Sequence, residues 1–171
     1  MMNPGKLTVT AAGDREIRMT RTFDAPRRMV FDAWTKPELL KRWLGVFEGW
    51  SMAVCEVDLR VGGGYRFVWR HTGGAEMGMR GTYLEVVPAE RLKSTEVFDD
   101  RWYEGDAVGT LTFDERDGRT TLTNAVMYAS REARDGVLKS PMEHGVSAGY
   151  DKLAELLATP ESFGGAAEPA S

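Results

Sequence analysis

Residues 140–157, SPMEHGVSAGYDKLAELL, form the stretch that decides the fold. Their apolar side chains recur at spacings of three and four, which predicts an amphipathic helix. The opening Ser-Pro-Met-Glu predicts a capping box, in which the Ser140 hydroxyl accepts a hydrogen bond from the N–H of Glu143. One helix cannot bury an apolar stripe alone, so the rest of the chain must supply a sheet. The stripe consists of Met142, Val146, Gly149, Leu153, Leu156 and Leu157, with Tyr150 on its flank.

Small residues lie on or beside this apolar stripe. Gly145, Ala148 and Gly149 there are compatible with two arrangements. Either the sheet approaches the helix closely, or space stays free between the helix and the sheet. The function of the protein depends largely on which arrangement the chain adopts.

The residues before the helix supply the sheet, because their apolar and polar side chains alternate. Residues 17–23 form the first predicted strand, and two short helices joined at Pro37 follow it. Six further strands between residues 51 and 128 predict an antiparallel meander, in which the strand over residues 92–98 has an ambiguous inward face. The predicted fold class is α+β, with a curved antiparallel sheet of about seven strands wrapped around a long C-terminal helix.

The length of 171 residues suits one domain that needs neither a disulfide nor a metal to fold. We expect an N-terminal extension over residues 1–14, a single domain over residues 15–158 and a disordered tail over residues 159–171. The tail is assigned on its small, polar, proline-containing composition.

Charge and hydropathy exclude several classes of partner. A net charge of −4 without a basic cluster argues against nucleic acid. No apolar run approaches the roughly 20 residues that a membrane span requires. The single cysteine, Cys55, excludes an intrachain disulfide and suits a reducing compartment, so the expected location is cytoplasmic.

No motif typical of metal binding or nucleophilic catalysis is present. The two histidines, His71 and His144, have no second ligand at zinc spacing and are interpreted as solvated. Cys55 is interpreted as a small core residue, and Glu56 and Asp58 are expected to point from one strand face into water. We therefore predict no catalytic residue, no metal and no organic cofactor.

Large apolar side chains with a few polar groups gather on the faces that should meet the helix. Each alone is explained by an ordinary core, but together they are typical of a ligand site. The candidate ligand-binding residues are Trp43, Trp50, Phe67, Trp69, Met77, Met79, Tyr83, Leu111, Asn124, Met142, Val146, Gly149 and Tyr150.

Asn124, Tyr83 and Tyr150 are the polar groups expected to orient a ligand. Asn124 interrupts an apolar alternation, and a buried amide without a partner costs on the order of 1–3 kcal/mol. Its partner is therefore a ligand, a neighbouring strand or a water. Trp102 and Tyr103, in a predicted loop, are candidates for the rim of the pocket or for an interface.

Several short strings, in their order and spacing, resemble a known family. Together they are similar to the bacterial proteins homologous to the activator of heat-shock-protein-90 ATPase (the AHSA-type family), within the START-like (SRPBCC) superfamily. The resemblance covers about residues 15–158. The strings are residues 20–26 (TRTFDAP), 30–38 (VFDAWTKPE) with Trp43, 58–63 (DLRVGG), 87–92 (VPAERL), 95–99 (TEVFD), 130 and 132–138 (S and EARDGVL), Met142, Glu143, Gly145 and residues 150–157.

This resemblance implies a helix-grip fold with a deep cavity between the C-terminal helix and the sheet. The superfamily includes lipid carriers, hormone receptors, aromatase/cyclases and hydroxylase domains. Because these activities differ while the fold is shared, the resemblance implies little about chemistry.

Two functions of different classes are compatible with this sequence. The first is binding of a small lipophilic or aromatic molecule in the cavity, and we expect a binding protein rather than an enzyme. A cyclase or dehydratase using the same cavity would need a titratable group inside it, which Glu96 or Arg80 provides only if its strand face turns inward. The second is a protein-interaction module, because the family takes its name from a co-chaperone. That resemblance implies a chaperone partner, and exposed loop residues would imply a homodimer.

Overall fold

The computed structural model describes residues 5–163 and builds them into one sheet and a set of helices. The helices are α1 (Arg27–Thr35), α2 (Pro37–Leu40), α3 (Arg131–Lys139) and α4 (Met142–Leu157), and a short 3-10 helix spans Pro160–Phe163. The strands are β1 (Thr8–Ala12), β2 (Glu16–Phe23), β3 (Trp50–Val57), β4 (Gly64–His71), β5 (Glu76–Val87), β6 (Arg91–Phe98), β7 (Ala107–Arg116) and β8 (Arg119–Met127).

All neighbouring strands are antiparallel and lie in the order β1-β2-β8-β7-β6-β5-β4-β3. The sheet is curved and not closed, which confirms the predicted α+β class. Its eighth strand, β1, is absent from the sequence prediction and falls inside the predicted N-terminal extension. The five residues TVTAA carry no large apolar alternation to reveal a strand, and β1 joins the sheet as an edge, by backbone pairing with β2.

Helix α4 lies on the inner face of this sheet, as its apolar stripe predicts. The Tyr150 and Phe23 rings are 5.8 Å apart, and Arg21 of β2 donates to the Asp151 carboxylate at 2.7 Å. Leu153 is fully buried, as are most residues of the C-terminal half of the stripe. Helices α1 and α2 cover one end of the sheet, where the Phe31 ring meets Phe113 edge to face.

The predicted capping box at the start of α4 is wrong. The Ser140 hydroxyl donates to the Val137 carbonyl at 2.6 Å and accepts from the Met142 N–H at 3.3 Å, not from that of Glu143. The reason is that Ser140 ends α3, while Pro141 occupies the N-cap position of α4. Helix α3 does have a side-chain cap, because the Ser130 hydroxyl accepts from the N–H of Ala133 at its start.

Strand β3 contains an irregularity in its pairing with β4. Met52 pairs with Trp69 while Val54 pairs with Val68, so Ala53 is an extra residue on this strand. As a result Ala53 is exposed, although strict alternation places it on the inner face. The predicted tail also begins with structure, because residues 160–163 form the 3-10 helix, whereas residues 164–171 lie outside the described range.

Helix length bears on membrane insertion. Within residues 5–163, none of the helices combines the length and the hydropathy needed to cross a bilayer.

Candidate ligand-binding cavity

A cavity of about 440 Å³ separates the N-terminal half of α4 from the sheet. Its walls come from α1, from α4, from the segment after α2, and from strands β3 to β8. The space exists because Gly145, Val146 and Gly149 of α4, which border it, are small. A Cβ on Gly149 would lie 3.6 Å from the Trp43 carbonyl oxygen and one on Gly145 3.3 Å from the Phe47 ring, so the helix approaches this segment closely while leaving the sheet free.

The structure places all of the sequence-predicted site residues along this one cavity, although their role in binding stays a prediction. They are Trp43, Trp50, Phe67, Trp69, Met77, Met79, Tyr83, Leu111, Asn124, Met142, Val146, Gly149 and Tyr150. Further lining residues are absent from the predicted site, although Glu96 was a conditional candidate and Gly145 lies on the predicted stripe of small residues. They are Trp34, Leu44, Gly45, Phe47, Tyr65, Leu92, Ser94, Glu96, Phe98, Gly109 and Gly145.

Strand β6 supplies the most consequential residue in that second set, Glu96. Leu92 pairs with the inward-facing Leu111 of β7, and this register turns Ser94, Glu96 and Phe98 toward the cavity as well. Leu92 and Phe98 belong to this alternating set and favour this face, but the apolar Val97 on the opposite face leaves the direction ambiguous from the sequence alone. Arg80, the other conditional candidate, is exposed and donates to the Asp99 carboxylate on the outer side.

The Glu96 carboxyl has no partner among the described residues, since no hydrogen bond or ion pair reaches it. Its side chain borders both the cavity and a small hollow behind Phe98. Burial raises the pKa of Glu96 to about 7, because protein surrounds the charged form without compensating it. The group therefore exists in both protonation states near neutral pH.

A second polar group, the Tyr150 hydroxyl, is also unsatisfied. Tyr150 is almost fully buried, and its oxygen has no hydrogen-bond partner within residues 5–163. Burial raises the pKa of Tyr150, and the nearby Asn124 amide opposes that rise without the geometry of a hydrogen bond. The Trp34 indole N–H, in the same wall, is likewise unpaired.

Gly109 of β7 opens the space in which two of these polar groups meet. A Cβ there would lie 3.0 Å from an oxygen of Glu96 and 3.7 Å from the oxygen of Asn124. The carboxyl and the amide therefore border the same part of the cavity, on the two strands that flank β7.

The remaining tyrosines of the cavity are neutral. Tyr65 donates its hydroxyl to the Thr95 carbonyl at 2.8 Å, and its ring stacks on Phe67 at 4.7 Å. Burial raises the pKa of both Tyr65 and Tyr83. These side chains offer aromatic surface and hydroxyl groups but no charge.

The mouth of the cavity is bordered by the segment of residues 44–50 and by the first turn of α4. Trp69 donates its indole N–H to the Leu44 carbonyl at 2.8 Å, and His144 pairs with Glu48 at 2.9 Å. Gly45 has a φ of 70°, and a Cβ on it would collide with the Trp69 indole. His144 is thus exposed but not simply solvated, because it connects α4 to this segment.

Trp102 and Tyr103 do not border the cavity mouth. They line a small separate hollow behind Phe98, where the Tyr103 ring packs on Tyr128 at 5.2 Å. The residues after β6 turn away from α4, because Asp99 is held by Arg66 at 2.7 Å on the outer side of the sheet. Trp102 remains 47% exposed.

The geometry of the described residues does not favour metal binding or a reactive thiol. Within residues 5–163, no three His, Cys, Asp or Glu side chains are grouped so that they could hold a metal ion. Burial raises the pKa of the Cys55 thiol to about 11, so it stays protonated at neutral pH. Glu56 and Asp58 are exposed, as predicted.

A curved antiparallel sheet that grips a C-terminal helix, with two short helices at one end, defines the helix-grip class of START-like proteins. The comparison with family models makes the assignment narrower. The chain belongs to the family described as activator of Hsp90 ATPase homolog 1-like protein, whose model matches residues 24–158.

Solved structures show the same fold over almost the whole chain. A protein of Rhodobacter sphaeroides is 32% identical, with a TM-score of 0.84 over 89% of this chain and 97% of its own. A protein of Chromobacterium violaceum is 30% identical, with a TM-score of 0.71 over 84% and 96% of the two chains. One from Nitrosomonas europaea is 26% identical, with a TM-score of 0.77 over 89% and 99%. Among curated proteins the chain has no match.

Proposed function

We propose that this protein binds a small lipophilic or aromatic molecule in the cavity between α4 and the sheet. The observation that carries the proposal is a cavity of about 440 Å³ whose apolar walls contain unpartnered polar groups. Ligand sites are typically of this size, mostly apolar, and supplied with a few polar groups that fix orientation.

The alternative of an ordinary core is less consistent with these features. Protein interiors are close-packed, and voids larger than a water molecule are few. Buried polar groups are normally hydrogen-bonded, whereas the Tyr150 hydroxyl and the Trp34 indole N–H have no partner in the described chain. A bound molecule would fill the space and supply the missing bonds.

Native mass spectrometry of freshly purified protein tests this proposal. We expect a stoichiometric lipophilic adduct on the wild-type chain and on Val146→Ala. The adduct should be lost from Val146→Phe, because Val146 lines the cavity and the larger ring would occupy it. Gly149→Leu is a second blocking variant, because Gly149 lines the cavity and a Cβ there fits at 3.6 Å from the Trp43 carbonyl oxygen.

A bare wild-type chain that also shows no thermal shift with a panel of lipids and aromatic compounds would overturn the proposal. So would an adduct that survives in both blocking variants with unchanged stoichiometry, since it would then bind elsewhere.

Proton-transfer catalysis in the same cavity is a second candidate function, favoured by the inward position of Glu96. A carboxyl with a pKa of about 7 is suited to act as a general acid or base near neutral pH. If the bound molecule is a substrate, incubation with the wild-type chain should change its fragmentation pattern, whereas Glu96→Gln should bind it unchanged. Identical spectra for both proteins would remove this candidate.

The co-chaperone role stays a separate prediction that rests on the family description alone. It is tested by a pull-down with the chaperone and by the rate of ATP hydrolysis.

A further inference from the structure

The charged groups around the cavity set a constraint on what enters it. Glu96 is the one acidic residue among the described lining residues, and no Lys, Arg or His is found in that lining. An anionic ligand would therefore be buried beside a like charge without a counter-ion, which is costly. A cationic ligand would meet the only ionisable carboxyl in the wall.

We infer that the cavity selects amines, ligands that carry a protonated nitrogen on an aromatic or aliphatic body, and discriminates against carboxylates such as free fatty acids. This inference rests on the proposed function and specifies its ligand class. The ammonium group would donate to Glu96, while the apolar body fills the space toward α4.

The Glu96 carboxylate is a hydrogen-bond acceptor to which no described group of the protein donates. Its carboxyl has no hydrogen bond in the described chain, and Asn124 presents its oxygen to the same space over Gly109. Two oxygen acceptors facing one space match a group with several N–H donors, which an ammonium is. Charge-assisted hydrogen bonds of this kind are about twice as strong as neutral ones.

The aromatic walls favour the same ligand class. A cation near the face of a Trp, Tyr or Phe ring is attracted by the ring quadrupole, and the attraction is larger where water is excluded. Rings from α1, from the segment after α2, and from β4, β5 and α4 surround the cavity, among them Trp34, Trp43, Tyr65, Phe67, Trp69, Tyr83 and Tyr150.

Groups packed around Glu96 leave its charge uncompensated. Tyr65 from β4, Tyr150 from α4, Tyr103 from the loop after β6 and Tyr128 from the end of β8 all lie near the carboxyl. Burial raises the pKa of each of these tyrosines, so all four are neutral near pH 7. Arg101 lines the small hollow that Glu96 also borders, and it is paired with Asp106 at 2.9 Å.

The protonation of Glu96 then links amine binding to pH. An ammonium pairs with the ionised carboxylate, and the ionised fraction grows as pH rises through about 7. Amine affinity should therefore rise from pH 6 to pH 8, while the affinity of a neutral ligand of the same shape should stay constant.

Three ligands with one apolar body test the inference: 2-naphthylmethylamine, 2-naphthylmethanol and 2-naphthoate. Calorimetric titration of the full chain at pH 8 should show that the amine binds at least about tenfold more tightly than the carboxylate. The affinity of the alcohol should lie between the two. The advantage of the amine over the alcohol should shrink at pH 6. Glu96→Gln should abolish this advantage, so that the amine and the alcohol bind with affinities within about twofold of each other. Glu155→Gln, which removes an exposed carboxylate on α4, is the matched control and should change nothing.

The other outcomes contradict either the inference about amines or the proposed function itself. If the wild-type chain binds the alcohol or the carboxylate as tightly as the amine at pH 8, the inference fails while the proposed function stands. If none of the three binds and no adduct co-purifies, the proposed function fails and the inference falls with it. Because the wild-type comparison needs no variant, it decides the question even if Glu96→Gln does not fold.

Discussion

The two halves of α4 present the same apolar face to the sheet and produce opposite environments. In the C-terminal half, Leu153, Leu156 and Leu157 are buried in a packed core. In the N-terminal half, Gly145 and Val146 line a cavity and remain partly exposed. The difference shows that helical periodicity records which side turns inward, whereas side-chain size decides whether that side is filled.

Some polar groups also differ between the two ends. Toward the packed end, the buried Thr120 hydroxyl donates to the Ala25 carbonyl at 2.7 Å. Around the cavity, Glu96 and Tyr150 have no such partner in the described chain. The packed end therefore contributes to the stability of the fold, whereas the unpartnered polar groups around the cavity lower that stability.

The largest expected effect comes from truncating the packed half of α4. Leu153→Ala removes a fully buried side chain and should lower the free energy of unfolding by about 3 kcal/mol. Val146→Ala, at an equivalent position on the same face in the hollow half, should cost less than about 1 kcal/mol, because its side chain already borders open space. Urea denaturation of both variants measures the contrast. Equal losses would mean that the two halves are packed alike.

Replacing Glu96 is expected to have the next largest effect on the free energy of unfolding, and this replacement should stabilise the protein. Its pKa in the folded chain, about 7, exceeds the value of 4.5 expected without burial, so the folded state holds the proton more tightly. Its ionisation therefore destabilises the fold as pH rises from about 4.5 to 7, and the full loss applies above pH 7. A pKa difference of this size is worth about 3 kcal/mol in full, and the partial exposure of Glu96 reduces it. Glu96→Gln should therefore be more stable than wild type by about 2 kcal/mol at pH 8, with the gain disappearing near pH 4.5.

Unfolding free energies of both proteins across pH 4–8 check this prediction. Only the difference between the two proteins is informative, because every other group is the same in both. A Glu96→Gln variant that is less stable than wild type at pH 8 would show that the carboxylate has a stabilising partner.

A smaller effect on stability is expected from removing the hydrogen bond between Trp69 and Leu44 at the mouth of the cavity. Trp69→Phe keeps the aromatic packing but loses the hydrogen bond to the Leu44 carbonyl, at a cost of about 1 kcal/mol. Trp102→Phe is the matched control, since Trp102 is half exposed and lies outside the cavity. Thermal unfolding should separate the two variants, and similar melting temperatures would argue against a structural role for the Trp69 bond.

The smallest effect is expected for the ion pair between His144 and Glu48. Both side chains are well exposed, so His144→Ala should change stability by at most about 0.5 kcal/mol. A double-mutant cycle with Glu48→Gln, which preserves side-chain shape, isolates the pair. A coupling well above 1 kcal/mol would show that the pair holds the segment of residues 44–50 more firmly than its exposure suggests.

Much of this architecture could be predicted from local patterns, because α4 and the long strands carry clear periods. Strand β1 could not, since TVTAA joins the sheet through its backbone and buries little side chain. The orientation of Glu96 could not be fixed either, because each face of β6 carries both apolar and polar residues. Its inward direction is set by pairing with β7, a relation between strands that a single strand does not encode.

The order of the strands has a consequence for how the chain is made. Strand β2 does not pair with its sequence neighbour β3 but with β8, so that Phe23 meets Thr120. At roughly 5–20 residues per second, the ribosome needs about 5–20 seconds to deliver that partner. During this interval β3 to β7 can form their meander, while the hairpin of β1 and β2 has not yet paired with β8. Because α4 is synthesised after β8, the cavity closes last, and a ligand cannot act as a template for the early stages of folding.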